Sequence, residues 1–192
     1  MKKITVYCAS SSQISPVYME QAVLLGALMA SRGLTCINGG GNKGLMSTIS
    51  DAVLAANGKV TGVIPQFMLD EGWFHPNLTE LIVTKDMHTR KQIMAQKSDG
   101  CIALPGGIGT MEELLEIITW KQLGLYDCPI VILNINNYYD DLLKMLEKAV
   151  KENFMHLEHQ RIYEVAVSVE EALNVIESGK KWIDNPRSIA AL

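Results

Sequence analysis

Apolar and polar positions along the chain alternate between two rhythms. Short runs rich in Val and Ile, namely Ile4 to Cys8, Leu34 to Asn38, Val60 to Ile64, Leu81 to Thr84, Cys101 to Leu104 and Ile130 to Leu133, read as strands buried on both faces. Between them lie stretches of helical period at about 16–31, 43–56, 87–98, 110–123 and 138–152, with a last one at about 169–178. Strand and helix in strict alternation predict one α/β domain, a parallel sheet covered by helices on both faces. Three helix starts carry their own signals: Ser15-Pro16 as N-cap and first helical residue, Asp86 as N-cap, and Ser168 to Glu171 as a capping box. The domain is expected over residues 1–180, with 181–192 a tail without chemistry. One long connection, Pro65 to about Thr79, contains Gly72, Trp73, Phe74 and His75, and connections of that length are often functional.

Composition narrows the class. A chain of 192 residues should fold to roughly 9,000 Å² of surface, enough burial to need no disulfide or metal staple. With 48% apolar and 20% charged residues it is a soluble globular protein, neither disordered nor low-complexity. Seventeen basic and 21 acidic side chains give a net charge of -4, and no like-charge run is long enough for a nucleic-acid or membrane patch. The longest apolar stretch, Ala22 to Ala30, is too short for a bilayer, and Met1-Lys2-Lys3 leads into a strand pattern rather than a signal-peptide core. A cytoplasmic protein is expected. Cys8, Cys36, Cys101 and Cys128 lack metal or redox spacing and read as buried, reduced thiols. His156 and His159 have no third ligand in the pattern and read as surface residues, so neither metal nor cofactor is expected.

Ligands of open α/β sheets bind beyond the carboxyl ends of the strands, so the residues that follow each strand carry the functional signal. Ser10, Ser11 and Ser12 follow the first strand and can offer hydroxyls and N–H groups to an anion, or simply cap a helix. Gly39 to Gly44 after the second strand matches GxGxxG. The third strand ends in Pro65-Gln66 without the acidic ribose ligand of an NAD site, and Leu45-Met46 stands where a P-loop needs Lys-Ser/Thr. Tight packing and close approach to a nucleotide both remain open for that loop. The segment Pro105-Gly-Gly-Ile-Gly-Thr-Met-Glu-Glu113 is more specific: its glycines let backbone pass close to a phosphate, at the start of a helix expected near Thr110. Thr110 and Glu113 also have the spacing of a capping box. Arg90 and Lys91 lie near a helix N-terminus, against the macrodipole, which a nearby anion would explain. His88, in the same turn, reads as a satisfied polar residue in preference to a catalytic acid.

These segments, taken with Met87 to Lys91, Gly39 to Met46, Tyr7 to Ser12 and Ile117 to Gly124, resemble the Lonely guy (LOG) family in order and spacing. The likeness runs to about residue 162. It implies a Rossmann-like doubly wound sheet and a homodimer. The implied activity is hydrolysis of the N-glycosidic bond of cytokinin riboside 5'-monophosphates to free base and ribose 5-phosphate, without a cofactor. Carried over position by position, it implies Arg90 and Glu113 as the catalytic pair. It implies substrate contacts from Ser10, Ser11, Ser12, Gly40, Gly41, Lys91, Gly106, Gly107, Ile108, Gly109, Thr110, Glu112 and Thr119. The family often has an acidic residue near position 72, where this chain has Gly72 between Glu71 and Trp73, a departure that bears on base selectivity. Members are often labelled lysine decarboxylases, but nothing in this sequence marks a pyridoxal phosphate lysine.

By analogy with glycosidases, cleavage would build positive charge on the ribose as the base departs. Glu113, placed by the pattern in the first helical turn, would stabilise that charge, and Arg90, a poor proton donor, would orient phosphate or base. Two other readings use the same loops: a broader AMP or nucleoside 5'-monophosphate nucleosidase, and a non-catalytic nucleotide or molybdenum-cofactor binding protein. The 110–123 helix is apolar almost all round and is therefore expected at a subunit interface.

Overall fold

A computed structural model describes residues 2–179 together with Trp182 and Pro186. Seven strands form one sheet: β1 (Lys3–Tyr7), β2 (Thr35–Asn38), β3 (Lys59–Pro65), β4 (Glu80–Thr84), β5 (Gly100–Ala103), β6 (Ile130–Leu133) and β7 (Glu164–Ala166). The helices are α1 (Pro16–Ser31), α2 (Gly44–Ala55), α3 (Gln66–Asp70), α4 (Met87–Gln96), α5 (Ile108–Gln122), α6 (Asp140–Lys151) and α7 (Val169–Ser178). Every neighbouring pair is parallel, in the order β4-β3-β2-β1-β5-β6-β7. This is the expected single-domain, doubly wound Rossmann-like architecture. The chain runs outward from β1 to β4 and then restarts on the other side of β1 with β5. The order therefore reverses between β1 and β5, and the crevice beyond their carboxyl ends is the place where such sheets bind ligands.

Strand side chains alternate between two apolar layers, as a period of two requires. Ile4, Val6, Cys36, Ile102, Leu104, Val131 and Leu133 face one layer with residues of α1, α2 and α7. Tyr7, Ile37, Cys101, Ala103, Ile130 and Ile132 face the other with residues of α4, α5 and α6. Both faces are thus covered, which is why the strands read as continuous apolar runs. Cys8, Cys36 and Cys101 are buried free thiols and Cys128 is half-buried. Burial pushes Cys36 up to about 12.

Asp86 caps α4 through Thr89 N–H at 2.7 Å, and Pro16 opens α1, although the Ser15 side chain makes no cap bond. Ser168 caps α7 by accepting from Glu171 N–H, while Glu171 reaches back to Val167 N–H in place of the N-cap's own. Two elements go beyond the pattern. α3 has five residues, too few to display a helical period, and β7 is a three-residue edge strand. The expected tail over 181–192 lies outside the described residues except at Trp182 and Pro186. Trp182 donates its indole N–H to the Glu158 carbonyl at 2.9 Å. His159 departs from the surface reading: it is buried, its Nδ1 accepting from His156 N–H where the chain turns between α6 and β7. No described helix is long and apolar enough to cross a membrane.

Candidate active site

Hydrogen bonds lace together the loops after β1, β2 and β5. Ala9 N–H donates to the Pro105 carbonyl at 3.3 Å, Leu45 N–H to the Ala9 carbonyl at 2.9 Å, and Gly44 N–H to Ser12 Oγ at 3.2 Å. Ser10, Ser11 and Ser12 are exposed on this rim, and Ser11 Oγ accepts from Gln13 N–H. The sheet's switch point is therefore floored by backbone and edged by hydroxyls.

The loop after β2 owes its glycines to the chain's own packing. A Cβ at Gly39 would collide with Nη2 of Arg90, one at Gly44 with the Ser10 backbone, and Gly40 has φ of +71°. Gly40 and Gly41 are buried: Gly40 N–H donates to Asn38 Oδ1, its carbonyl accepts from His75 N–H, and Gly41 bridges Phe74. The second half of the long connection is thus strapped across this loop. His75, 4% exposed, anchors the strap through Nε2 to Asp51 Oδ1 at 2.9 Å, and its Nδ1 accepts from Asn77 N–H. That acceptor role puts the proton on Nε2, so neutral His75 donates to Asp51.

The loop after β5 is different. At Gly107 and Gly109 an added Cβ would meet nothing within 4 Å, and neither residue has a positive φ. Helix α5 begins at Ile108 with Gly107 as N-cap, two residues before the expected start. The Thr110–Glu113 capping box does not form, because no side chain caps this helix and Glu113 lies a turn and a half inside it. The N–H groups of Gly107, Ile108, Gly109 and Thr110 have no acceptor among the described residues. Free N–H groups at a helix start form an anion-binding surface. Thr110 is buried with Oγ1 packed on Gly106.

Glu113 and Arg90 meet beneath these loops. Arg90 Nη1 lies 2.7 Å from Glu113 Oε1, Arg90 Nε donates to the Val63 carbonyl at 2.9 Å, and the residues are 6% and 9% exposed. Burial pushes the Glu113 carboxyl above the usual carboxylate range, and the Arg90 guanidinium pulls it back. The expected place of Glu113 in the first helical turn is corrected: it lies beyond that turn, and its opposing charge comes from Arg90. The anion expected beside Arg90 and Lys91 is supplied within the chain, with Glu113 on Arg90 and two further glutamates of α5 on Lys91. Lys91 Nζ is bound by Glu112 and, at 3.0 Å, by Glu116. Burial lowers Lys91, but the bonds from Glu112 and Glu116 outweigh it and hold the ammonium above its ordinary value.

Thr119 is exposed six residues beyond Glu113, its hydroxyl bound to the Leu115 carbonyl in its own helix, and the structure does not bring it to the crevice. It shares the outer face of α5 with Leu115 and Leu123, while Ile108 at the helix start is 83% exposed. His88 is exposed. The reading of residues alone missed the His75–Asp51 anchor, 24 positions apart with no motif to join them. It also missed Tyr138, whose hydroxyl meets the Gly106 carbonyl; the Tyr138-Tyr139 doublet was the only available signal. Among the described residues no cluster of His, Cys, Asp or Glu is arranged to hold a metal ion.

A sheet switch point, an open glycine turn whose N–H groups have no acceptor among the described residues and a buried arginine–glutamate pair define a Rossmann-like protein. A family model described as possible lysine decarboxylase matches residues 46–176, and the chain belongs to this family, the Lonely guy family. It is 41% identical to the cytokinin riboside 5'-monophosphate phosphoribohydrolase LOG5 of Arabidopsis thaliana, over 93% of this chain and 78% of that one. It is 42% identical to LOG7 of the same plant, which bears the same enzyme name, over 95% and 84%. The solved molybdenum cofactor binding protein of Rippkaea orientalis has a TM-score of 0.69 at 26% identity, covering 93% of this chain and 97% of that one. Pyridoxal phosphate, which a lysine decarboxylase would use, does not fit these residues. The buried lysine of the site, Lys91, is held charged between two carboxylates, the opposite of an imine-forming amine.

Proposed function

We propose that this protein hydrolyses the N-glycosidic bond of cytokinin riboside 5'-monophosphates, giving free base and ribose 5-phosphate. The observation that carries the reading is the buried Arg90–Glu113 pair next to a helix start where four N–H groups have no acceptor among the described residues. The 5'-phosphate lies on the N–H groups of Gly107 to Thr110, where glycine is required by no contact inside the chain. Gly106, Ile108 and the hydroxyls of Ser10 to Ser12 complete that contact. Glu113 faces the ribose and stabilises positive charge as the base leaves, the water-poor setting making the carboxylate more effective. Arg90 is fixed on three sides, by Val63, Glu113 and Gly39, and acts by orientation and charge, not by proton transfer. Gly40, Lys91 and Glu112 contribute by holding these groups in place, since their own polar atoms are engaged within the chain, and Gly41 contributes by lying opposite Phe74 in the strap.

The protein acts as a homodimer joined through the outer face of α5, where Leu115 and Leu123 are exposed; Thr119 then belongs to the interface. The buried thiols of Cys8, Cys36 and Cys101 suit a reducing cytoplasm. Residues 1–180 form the hydrolase domain and 181–192 its tail. The test is release of free base from isopentenyladenosine 5'-monophosphate and from AMP, side by side, with the unphosphorylated ribosides as controls. Strong preference for the isopentenyl nucleotide is expected. Equal rates would replace the reading with a general nucleotide nucleosidase, and binding without release would replace it with a carrier.

A further inference from the structure

The connection from β6 to α6 is built around two asparagines with left-handed backbone, Asn136 at φ 52° and Asn137 at φ 59°. Asparagine tolerates that conformation better than most residues. The double turn presents adjacent phenols to a single stretch of the loop after β5. Tyr139, fully buried, donates its hydroxyl to the Leu104 carbonyl at 2.7 Å, and Tyr138 donates to the Gly106 carbonyl at 2.7 Å. Asn134 stiffens the mount: its Oδ1 accepts from Tyr139 N–H at 2.7 Å and its Nδ2 donates to Asp140 at 2.8 Å. The Tyr138 ring is itself held edge-on against Tyr18 and Tyr139, with centroids 5.9 and 5.1 Å away.

In a trans peptide the carbonyl and the following N–H point in opposite directions, so whatever fixes one fixes the other. The Gly106 carbonyl is tied to Tyr138 on the side of the β6–α6 connection. The Gly107 N–H, with no acceptor among the described residues, therefore faces away from that connection. A glycine pair has wide backbone freedom, and without this tie the peptide could rotate. We infer that Tyr138 is a positioning residue for phosphate binding: its hydroxyl locks the Gly106–Gly107 peptide so that the Gly107 N–H is preset to donate to the 5'-phosphate. This rests on the nucleotide reading of the site. The sheet reaches the loop from β5, whereas the lock comes from a separate connection about thirty residues further along, a distance over which the motif itself is silent.

The test compares the wild-type chain with Tyr138→Phe, which keeps the ring, and Tyr138→Ala, which removes it. Ribose 5-phosphate binding by calorimetry is measured together with kcat and KM on isopentenyladenosine 5'-monophosphate. For Tyr138→Phe the Kd of ribose 5-phosphate and the KM are expected to rise about fivefold, the size of one lost hydrogen bond, with kcat and unfolding midpoint nearly unchanged. Equal values for wild type and Tyr138→Phe, with a loss only in Tyr138→Ala, would overturn the inference in favour of ring packing. A fall in kcat and stability with unchanged Kd would overturn it in favour of a merely structural bond. Failure of the wild-type chain to bind ribose 5-phosphate would also overturn it. If the chain binds ribose 5-phosphate, weakly so in Tyr138→Phe, but releases no base, the proposed reaction falls and the lock stands.

Discussion

The two glycine-rich loops of this protein look alike in sequence and are unlike in cause. In the loop after β2 the glycines answer to the chain itself: Gly39 makes room for the Arg90 guanidinium, Gly44 for the Ser10 backbone, and Gly40 for a left-handed turn. In the loop after β5, Gly106 makes room for Thr110, but a Cβ at Gly107 or Gly109 would meet no described residue. A glycine needed by no internal contact and no unusual φ points to something brought from outside, a ligand or a partner, that passes close to the backbone. One loop shapes the arginine's berth, and the other is the one proposed to face the substrate. That division assigns GxGxxG here to architecture, and it can be broken by substitution.

The largest expected effect belongs to the group both loops surround. Glu113→Gln keeps shape and a hydrogen bond to Arg90 but removes the charge, and should lower kcat by about 10²–10³ while ribose 5-phosphate binding changes little. A variant with near-normal kcat would remove Glu113 from the chemistry. Next comes Gly39→Ala. The new methyl displaces Arg90 from Val63 and Glu113, leaving a buried carboxylate without its cation, a loss of about 3–5 kcal/mol in broken buried pairs. Denaturant unfolding should show a destabilisation of that order, together with loss of turnover. An unchanged midpoint would mean that the first loop is not the arginine's support.

Glu113 also predicts a pH dependence that sets activity against stability. Its carboxyl is raised by burial, so the folded chain binds the proton more readily than the unfolded one. The penalty of holding it ionised is therefore relieved, not incurred, as pH falls through the raised value, while the charge needed for catalysis is lost over the same interval. The acid limb of kcat/KM should lie above the ordinary carboxylate range with the fold still intact by circular dichroism. An acid limb that coincides with unfolding would show that some other group sets it. A smaller effect is expected from the strap. His75→Ala leaves Asp51 and Asn77 N–H without their partner and should cost about 1–3 kcal/mol, with the Gly40–Gly41 loop loosened and KM raised more than kcat is lowered. Hydrogen exchange at Asn42 and His75, whose amides bond across the strap, would report the loosening directly.

What the residues alone disclose follows the range of the interactions involved. Six strands and the six longer helices are legible because buried runs of Val and Ile, and Asp86 or Ser168 at a helix start, are local signals. α3 and β7 are shorter than the periods that would announce them. The start of α5 is misplaced by two residues because Gly107 caps it with backbone alone, leaving no side-chain mark. Within the site, Arg90 and Glu113 each carry a local signal, but their catalytic roles are implied only by family resemblance. Their pairing, 23 positions apart, is tertiary. The excess positive charge at the start of α4 correctly calls for an anion nearby, but the local sequence cannot say that Glu112, Glu113 and Glu116 supply it from another helix.

The smallest effect is the most discriminating for the two loops. Gly109→Ala puts a methyl into open space in the first turn of α5, where alanine favours the helix by about 0.5–1 kcal/mol over glycine. If the second loop serves only the fold, this substitution should be neutral or stabilising in every measurement. If it serves a ligand that comes against the backbone, stability should hold or rise while ribose 5-phosphate affinity falls, because the methyl occupies the approach. Stability and affinity moving in opposite directions is a signature that a packing role cannot produce. Gly39→Ala, which lowers stability and turnover together, is its counterpart in the first loop, and a loss of stability in Gly109→Ala as well would collapse the distinction between them.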